Sequence, residues 1–174
     1  VKISDASGEY TVDTKALAKD GTVEINKGSI ASSIDGFNGN IKANETGDIK
    51  VEGAGMTGGL DIGKINGDLS SAENAKISGN VNVGEVNKVD VKGGIAAIDG
   101  EENTGNLSIG TANDNVVVSG GVAGDMNVTD AKKDVTVDTI GKNLTVGMLN
   151  DGTIKADEVT GTVKVAGTGT VDVA

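Results

Sequence analysis

The chain has 174 residues and a formal net charge of −11; 28 residues are glycine, while His, Cys, Pro, Trp, Arg and Gln are absent. Lack of imidazole and thiol groups excludes the usual zinc sites and His- or Cys-based catalysis. Acidic charge and only two aromatic residues, Tyr10 and Phe37, argue against nucleic-acid binding. No run approaches the roughly 18 apolar residues of a transmembrane segment.

A short apolar–polar–apolar pattern recurs along the whole chain. Its copies begin 18 to 26 residues apart and occupy 1–3, 23–25, 41–43, 60–62, 81–83, 107–109, 126–128, 144–146 and 163–165. Alternation over three residues indicates a short strand that sends two side chains to one face. A repeat of this length is typical of solenoids, in which each small unit buries its apolar face against the next.

A second strand pattern follows the first in every repeat. Its copies occupy 10–12, 30–32, 49–51, 69–71, 89–91, 116–118, 135–137, 154–156 and 171–173. A third apolar position comes next, at Leu17, Ile34, Met56, Ile77, Ile95, Val122, Ile140 and Val159. The intervening Gly, Asn, Asp and Thr residues suit tight corners.

This order predicts an all-β fold: a single-stranded parallel β-solenoid, or β-helix, of about nine turns with three short sides per turn, forming one domain over residues 1–174. An antiparallel β-sandwich also has Gly-rich turns at short intervals. It does not require two strand patterns and a third apolar position to recur in the same order in every repeat. The outward residues Lys2, Glu24, Lys42 and Asp61 support the solenoid register, since opposite charges then lie one turn apart.

Two repeats are longer than the others, and the extra residues predict loops near 71–76 and 98–104. Loops that leave a solenoid often lie on its functional face. Acidic residues in and near such corners, Asp99, Glu101, Glu102 and Asp114, are weak candidates for Ca²⁺, which prefers oxygen ligands. Their spacing matches no established calcium loop. We therefore expect no cofactor, with a structural Ca²⁺ as the open alternative.

Four phrases carry a resemblance to a known class of proteins. Segments 47–53, 79–84, 105–110 and 142–147 resemble the Gly-Asp-Val-x-Val repeats of bacterial cell-surface parallel β-helix proteins, including adhesins and autotransporter passengers. The resemblance covers nearly the whole chain, but its motifs are compositional. It implies a secreted, processed protein on the cell surface or outside the cell, with no enzymatic activity.

The first and last strand patterns lie at the two ends of the sequence, with no polar capping segment beyond them. An uncovered terminal turn offers unpaired amides and apolar side chains. We therefore expect head-to-tail association of identical copies into a homopolymer, a surface filament or layer. The expected contact residues are Val1, Ile3, Tyr10 and Val12 at one end and Val163, Val165, Val171 and Val173 at the other.

Two other functions remain open at this point. The chain is alternatively an adhesin stalk or passenger fragment that binds a host or partner surface, including other cell-surface components, through its loops. Paired carboxylates such as Glu101 and Glu102 also permit a glycan hydrolase by count alone, although the sequence predicts neither a cleft nor binding platforms. A longer chain is a further alternative, of which these residues would be a piece.

Overall fold

The computed structural model describes the backbone of residues 2–3, 6–13, 21–25 and 28–174 and the side chains from residue 34 onward. Within these residues the chain forms an all-β, parallel β-solenoid of about seven turns and contains no helix. The prediction of a parallel solenoid is therefore confirmed, and the antiparallel sandwich is excluded by strand pairings that are all parallel.

The strands follow one another with short corners between them. They are β1 Lys2–Ile3, β2 Ala6–Asp13, β3 Gly21–Ile25, β4 Gly28–Thr46, β5 Ile49–Thr57, β6 Leu60–Ile65, β7 Leu69–Ser71, β8 Ile77–Ser78, β9 Val81–Val86, β10 Val89–Val91, β11 Ile95–Ala96, β12 Leu107–Ala112, β13 Val116–Val118, β14 Met126–Ala131, β15 Val135–Ile140, β16 Leu144–Val159 and β17 Val163–Val173. Strands β4, β5, β15, β16 and β17 run through a corner, so one strand covers parts of two sides or two turns.

Equivalent residues of successive repeats lie directly beside one another. Val81 of β9 pairs with Leu60 of β6 on one side and with Leu107 of β12 on the other. The charged column predicted from the sequence has the same register, because Lys2 pairs with Glu24, Glu24 with Lys42, and Lys42 with Asp61. Each such turn therefore forms its backbone hydrogen bonds with the turn before it and the turn after it.

The core is a stack of aliphatic columns along the solenoid axis. In one turn Val81, Val83, Val89, Val91 and Ile95 are all at most 3 % exposed, as the apolar spacing predicts. We call the strands of the first pattern in each repeat, such as β6 and β9, the first side, and those of the second pattern the second side. A further buried column lies at the end of the first side, and the sequence pattern did not predict it. It consists of Thr46, Ile65, Val86, Ala112, Ala131 and Leu149.

Glycines allow the first side to turn toward this extra column. A Cβ on Gly84 would lie 2.3 Å from the carbonyl oxygen of Gly63, and one on Gly110 would lie 2.2 Å from that of Gly84. Backbones of adjacent turns approach so closely here that most of these positions carry no side chain. Thr129 stands in the same column, before Gly147.

One predicted alignment is wrong. The sequence pattern places Ile30 in the column of Ile49 and Ile34 in the column of Met56, but Ser32 pairs with Ile49 and Phe37 pairs with Met56. A shift of two residues keeps the same faces of the strand inward, and an irregularity between Asp35 and Phe37 absorbs the difference. Phe37 is 3 % exposed, so the lumen accommodates one large ring.

Candidate functional site: the open rung of β17

The last turn carries apolar side chains at core positions. In the register between β16 and β17, Val163, Val165, Val171 and Val173 pair with Leu144, Val146, Ile154 and Ala156. Those four partners are at most 2 % exposed. The valines therefore continue the inward columns of the solenoid.

Exposure changes abruptly between the two turns. Val163 is 36 % and Val171 46 % exposed, although side chains in the same columns one turn earlier are fully buried. Val165 is partly buried against the core and Val173 is intermediate. No other described segment covers this turn. Apolar side chains that belong to a core thus face solvent along the solenoid axis.

The backbone of β17 is paired on one edge alone. Its described pairings are all with β16, as in the hydrogen bond from the Leu144 amide to the Thr162 carbonyl at 2.9 Å and that from the Ala174 amide to the Ala156 carbonyl at 3.1 Å. Alternate residues of a strand direct their N–H and C=O groups to opposite neighbours. The amides and carbonyls of the four valines consequently face the open side, as on any unprotected edge strand.

Polar side chains at the corner before the first side form a second kind of ladder. The Asn106 Oδ1 accepts the Asp125 amide at 2.7 Å, Asp125 Oδ1 accepts the Asn143 amide at 3.1 Å, and Asn143 Oδ1 accepts the Thr162 amide at 2.9 Å. In each case the side chain of one turn accepts the amide of the following turn. We call this column, together with the similar column described next, the corner ladder. Because its acceptors all lie in the earlier of two turns, the two faces of a turn differ in their hydrogen-bonding groups.

A similar column precedes the second side. Asp48 Oδ1 accepts the Asp68 amide at 2.8 Å, and Asp134 Oδ1 accepts the Thr153 amide at 2.7 Å. Thr170 pairs with Thr153 and occupies this column in the last turn. Thr162 and Thr170 therefore occupy, in the last described turn, the two corner columns in which Asn and Asp side chains of earlier turns accept amides of the next turn.

The opposite end is described less fully. Val1 lies outside the described residues, and for Ile3, Tyr10 and Val12 the structure gives the strand position alone. Ile3 pairs with Ile25. Val12 pairs with Ser32 and so shares the column of Ile49 and Val171, which leaves Tyr10 two residues earlier than the sequence pattern places it. Val12, and not Tyr10, is the first-turn counterpart of Val171.

The two longer repeats have longer connections between their strands. Residues 72–76 join β7 to β8, and residues 97–106 join β11 to β12. The second loop is held by hydrogen bonds, including one from the Ile98 amide to Thr104 Oγ1 at 2.8 Å and one from Asn106 Nδ2 to the Asn103 carbonyl at 2.8 Å. It borders a groove of about 430 Å³ whose other wall includes Lys42, Asp61 and Asn82.

The weak calcium candidates do not form one described cluster. Asp99, Glu101 and Glu102 are exposed in the second loop, and Asp114 accepts the Asn115 amide at 2.8 Å in a separate corner. Across the described residues, no group of three or more acidic side chains is arranged to hold a metal ion. The Ca²⁺ alternative thus remains a prediction from composition.

Two surface carboxylates belong to ladders on the outside of the rod. Hydrogen bonding from Asn113 and then from Lys64 lowers the pKa of Glu85, with Lys64 Nζ 3.3 Å from the Glu85 carboxylate. A hydrogen bond from Lys132 lowers the pKa of Asp130 in the same way. These interactions link adjacent turns or neighbouring residues of a corner.

The fold and the open rung together define the class: a parallel β-solenoid whose last described turn exposes its core columns and a strand edge. Comparison with known proteins found no matching family model, curated protein or solved structure. Among the described residues, no helix is long and apolar enough to cross a membrane.

Proposed function

We propose that this chain is a non-enzymatic extracellular structural protein whose copies associate end to end. The carrying observation is the abrupt exposure of Val163 and Val171 above fully buried partners, together with the unpaired edge of β17. The occupant best suited to this surface is the first turn of a second copy, because it is built on the same template as every turn that already stacks inside the molecule.

We also propose the finer architecture of nine turns with three sides each. A single column of register partners supports this count, since it runs from the first repeat to the last through Lys2, Glu24, Lys42, Asp61, Asn82, Ser108, Asn127, Thr145 and Lys164. The third side is the shortest and includes the column Ile77, Ile95, Val122, Ile140 and Val159. Every turn would then present the same cross-section to a neighbour.

An interface of this type does not close on itself. Contact between two different ends is heterologous, and a heterologous contact without rotational closure yields a filament or a layer of filaments. Strand addition supplies the hydrogen bonds and the aliphatic columns supply the apolar contact. A location on the cell surface agrees with the compositional resemblance described above and with the net charge of −11, which opposes lateral clumping.

The direct test places a charge on the open rung. Val171→Asp would bury a carboxylate in the joint without a partner, so we expect filaments of the unaltered chain and monomers of the variant in electron microscopy and sedimentation velocity. Met148→Asp is the matched control, because Met148 is 47 % exposed on the side of the rod and not on its end. Met148 pairs with Asp130, so this variant adds one like-charge pair within the chain, at a cost of about 0.2–1 kcal/mol. The control variant should still assemble.

Two results would contradict the proposal. The unaltered protein would remain monomeric at the highest soluble concentration, or Met148→Asp would abolish assembly as completely as Val171→Asp. The second result would indicate lateral packing. Circular dichroism of both variants confirms that the solenoid is retained, since each substitution lies at a position that is already exposed to solvent.

A second candidate function is attachment to a partner surface as an adhesin stalk or passenger. The supporting observations are the hydrogen-bonded loop 97–106 and the groove beside it. We expect that replacing residues 98–104 by a short Gly-Ser link abolishes binding to a glycan array or cell surface and leaves end-to-end assembly unchanged. Replacement of residues 72–76 is the matched control. Equal binding by the loop 98–104 replacement and the unaltered chain would count against this function.

A further inference from the structure

We propose that the joint between copies carries two like-charge pairs, with Lys2 of one copy beside Lys164 of the next and Asp13 beside Asp172, so that assembly depends on ionic strength. This inference rests on the proposed end-to-end association and adds its direction, its register and its control by salt. The partner is a second copy of this chain, docked with its first turn on the rung of β17.

The direction of docking follows from the corner ladder. In every described case the side chain of one turn accepts an amide of the following turn, never the reverse. Thr162 and Thr170 hold the corresponding corner positions of the last described turn, so a turn that follows in the same direction would donate its corner amides toward them. Two open rungs placed face to face would pair their strands antiparallel, whereas every described pairing of this chain is parallel.

The register follows from the inward columns. A slip of one residue would turn every apolar side chain of the incoming strand outward. The column of Thr145 and Lys164 therefore continues at Lys2 of the incoming copy. Lys164 is exposed on the outer face of β17.

The second side gives an independent like-charge pair. Asp13 pairs with Ser33, and Ser33 with Lys50, which places Asp13 in the column that ends at Asp172. Within the chain, the described neighbours of these charges are neutral or opposite: Lys2 lies beside Glu24, and Lys155 beside Asp172. At the joint, the same columns would place two residues of like charge side by side.

Like charges on directly opposed strand residues weaken pairing, and opposite charges strengthen it. Lys164 and Asp172 are exposed, so salt screens their charges: the Debye length is about 30 Å at 0.01 M and about 3 Å at 1 M. We therefore expect weak assembly at low salt and stronger assembly at high salt. The overall charge of −11 gives part of any salt effect, and a charge substitution at the joint separates the two causes.

The deciding experiment is a charge series at Lys164 in low salt. Lys164→Gln removes the repulsion and Lys164→Glu replaces it by attraction, so the joint dissociation constant should fall in that order, by about two- to thirtyfold from Lys to Glu. Lys164 lies beside the neutral Thr145 inside its own chain, so neither change creates a new repulsion there. Sedimentation equilibrium gives the constants.

Two controls isolate the pair. Lys133→Glu makes the same change in net charge at an exposed corner away from the joint and should not strengthen assembly. In a Lys2→Gln background the difference between the Gln and Glu variants at 164 should vanish, because the partner charge is gone. In about 1 M salt the variants at 164 should converge.

The outcomes separate this inference from the proposed function. Filaments that form with the same affinity in all variants at 164 would overturn the like-charge joint and leave end-to-end assembly intact. The persistence of the Gln-to-Glu difference in the Lys2→Gln background would overturn this register. A closed dimer that never grows would overturn the direction. Monomers under every condition, including Lys164→Glu in high salt, would overturn the proposed function itself.

Discussion

At the scale of single residues, the closest constraint is the space between successive backbones. The first side turns inward where Gly63, Gly84 and Gly110 stack, and a Cβ on Gly110 would meet the Gly84 carbonyl oxygen at 2.2 Å. Gly110 does not adopt a positive φ, so its requirement is steric and not conformational. The sequence predicts tight corners from such glycines, whereas the structure shows that the close approach of two backbones excludes a side chain at Gly110.

We expect Gly110→Ala to destabilise the solenoid by about 1–3 kcal/mol, because the backbone of one turn must move away from the next. Urea unfolding followed by circular dichroism measures the change. Thr129→Ala is the control, since Thr129 occupies the same column one turn later and already carries a Cβ. Its effect should stay within about 0.5 kcal/mol. Equal effects of the two substitutions would show that contact between the turns does not restrict this column.

At the scale of strands and corners, the sequence predicts the inward columns wherever alternation is regular. The pattern 81–83 and 89–91 identifies buried residues correctly, because period two leaves one assignment of faces. Val86 was missed because Gly84 lets the chain turn between Val83 and Val86, which interrupts the alternation. An apolar residue after such a glycine is the signal that finds the extra column.

The alignment error in the second repeat has a different origin. Ile30, Ser32 and Ile34 share one strand face, so the apolar pattern fits two alignments that differ by two residues. The choice is made by Phe37, which pairs with Met56 of the next turn and is 3 % exposed. Local periodicity contains no information about which neighbour a buried ring will contact.

In the candidate site, the sequence pattern predicts the valines of β17 but not the corner ladder. The four valines of β17 follow from the repeat spacing, and their exposure follows from their position in the last described turn. The corner ladder was not predicted, because Asn and Asp are common in turns for several reasons. Only the hydrogen bonds between turns reveal that Asn106, Asp125 and Asn143 all point their acceptors the same way.

At the scale of the whole molecule, the stabilising contacts run along the solenoid axis, from each turn to its neighbours. The described pairings join each turn only to the turns directly before and after it, and such arrays behave as sums of repeat and interface terms. The number of repeats can therefore change without loss of the fold, whereas the register between neighbouring turns cannot. The last described turn differs from the turns before it because its described pairings lie on one side alone.

This separation predicts which deletions the chain tolerates. Removal of residues 126–143 takes out one complete repeat and joins Asp125 to Leu144. Asp125 then occupies the ladder position of Asn143, Leu107 lies beside Leu144, Val116 beside Ile154, and every inward column is continuous again. We expect a folded rod that is shorter by about 4.8 Å, less stable than the parent, and still able to assemble because both of its end turns are unchanged.

The matched deletion removes residues 126–134 and joins Asp125 to Val135. It removes fewer residues but places a second-side strand where a first-side strand must lie, so the columns no longer meet and we expect loss of the fold. Circular dichroism, urea unfolding and the axial repeat of the filaments in electron microscopy distinguish the two chains. If the shorter deletion folds and assembles as well as the whole-repeat deletion, the stacking register cannot be what specifies this structure.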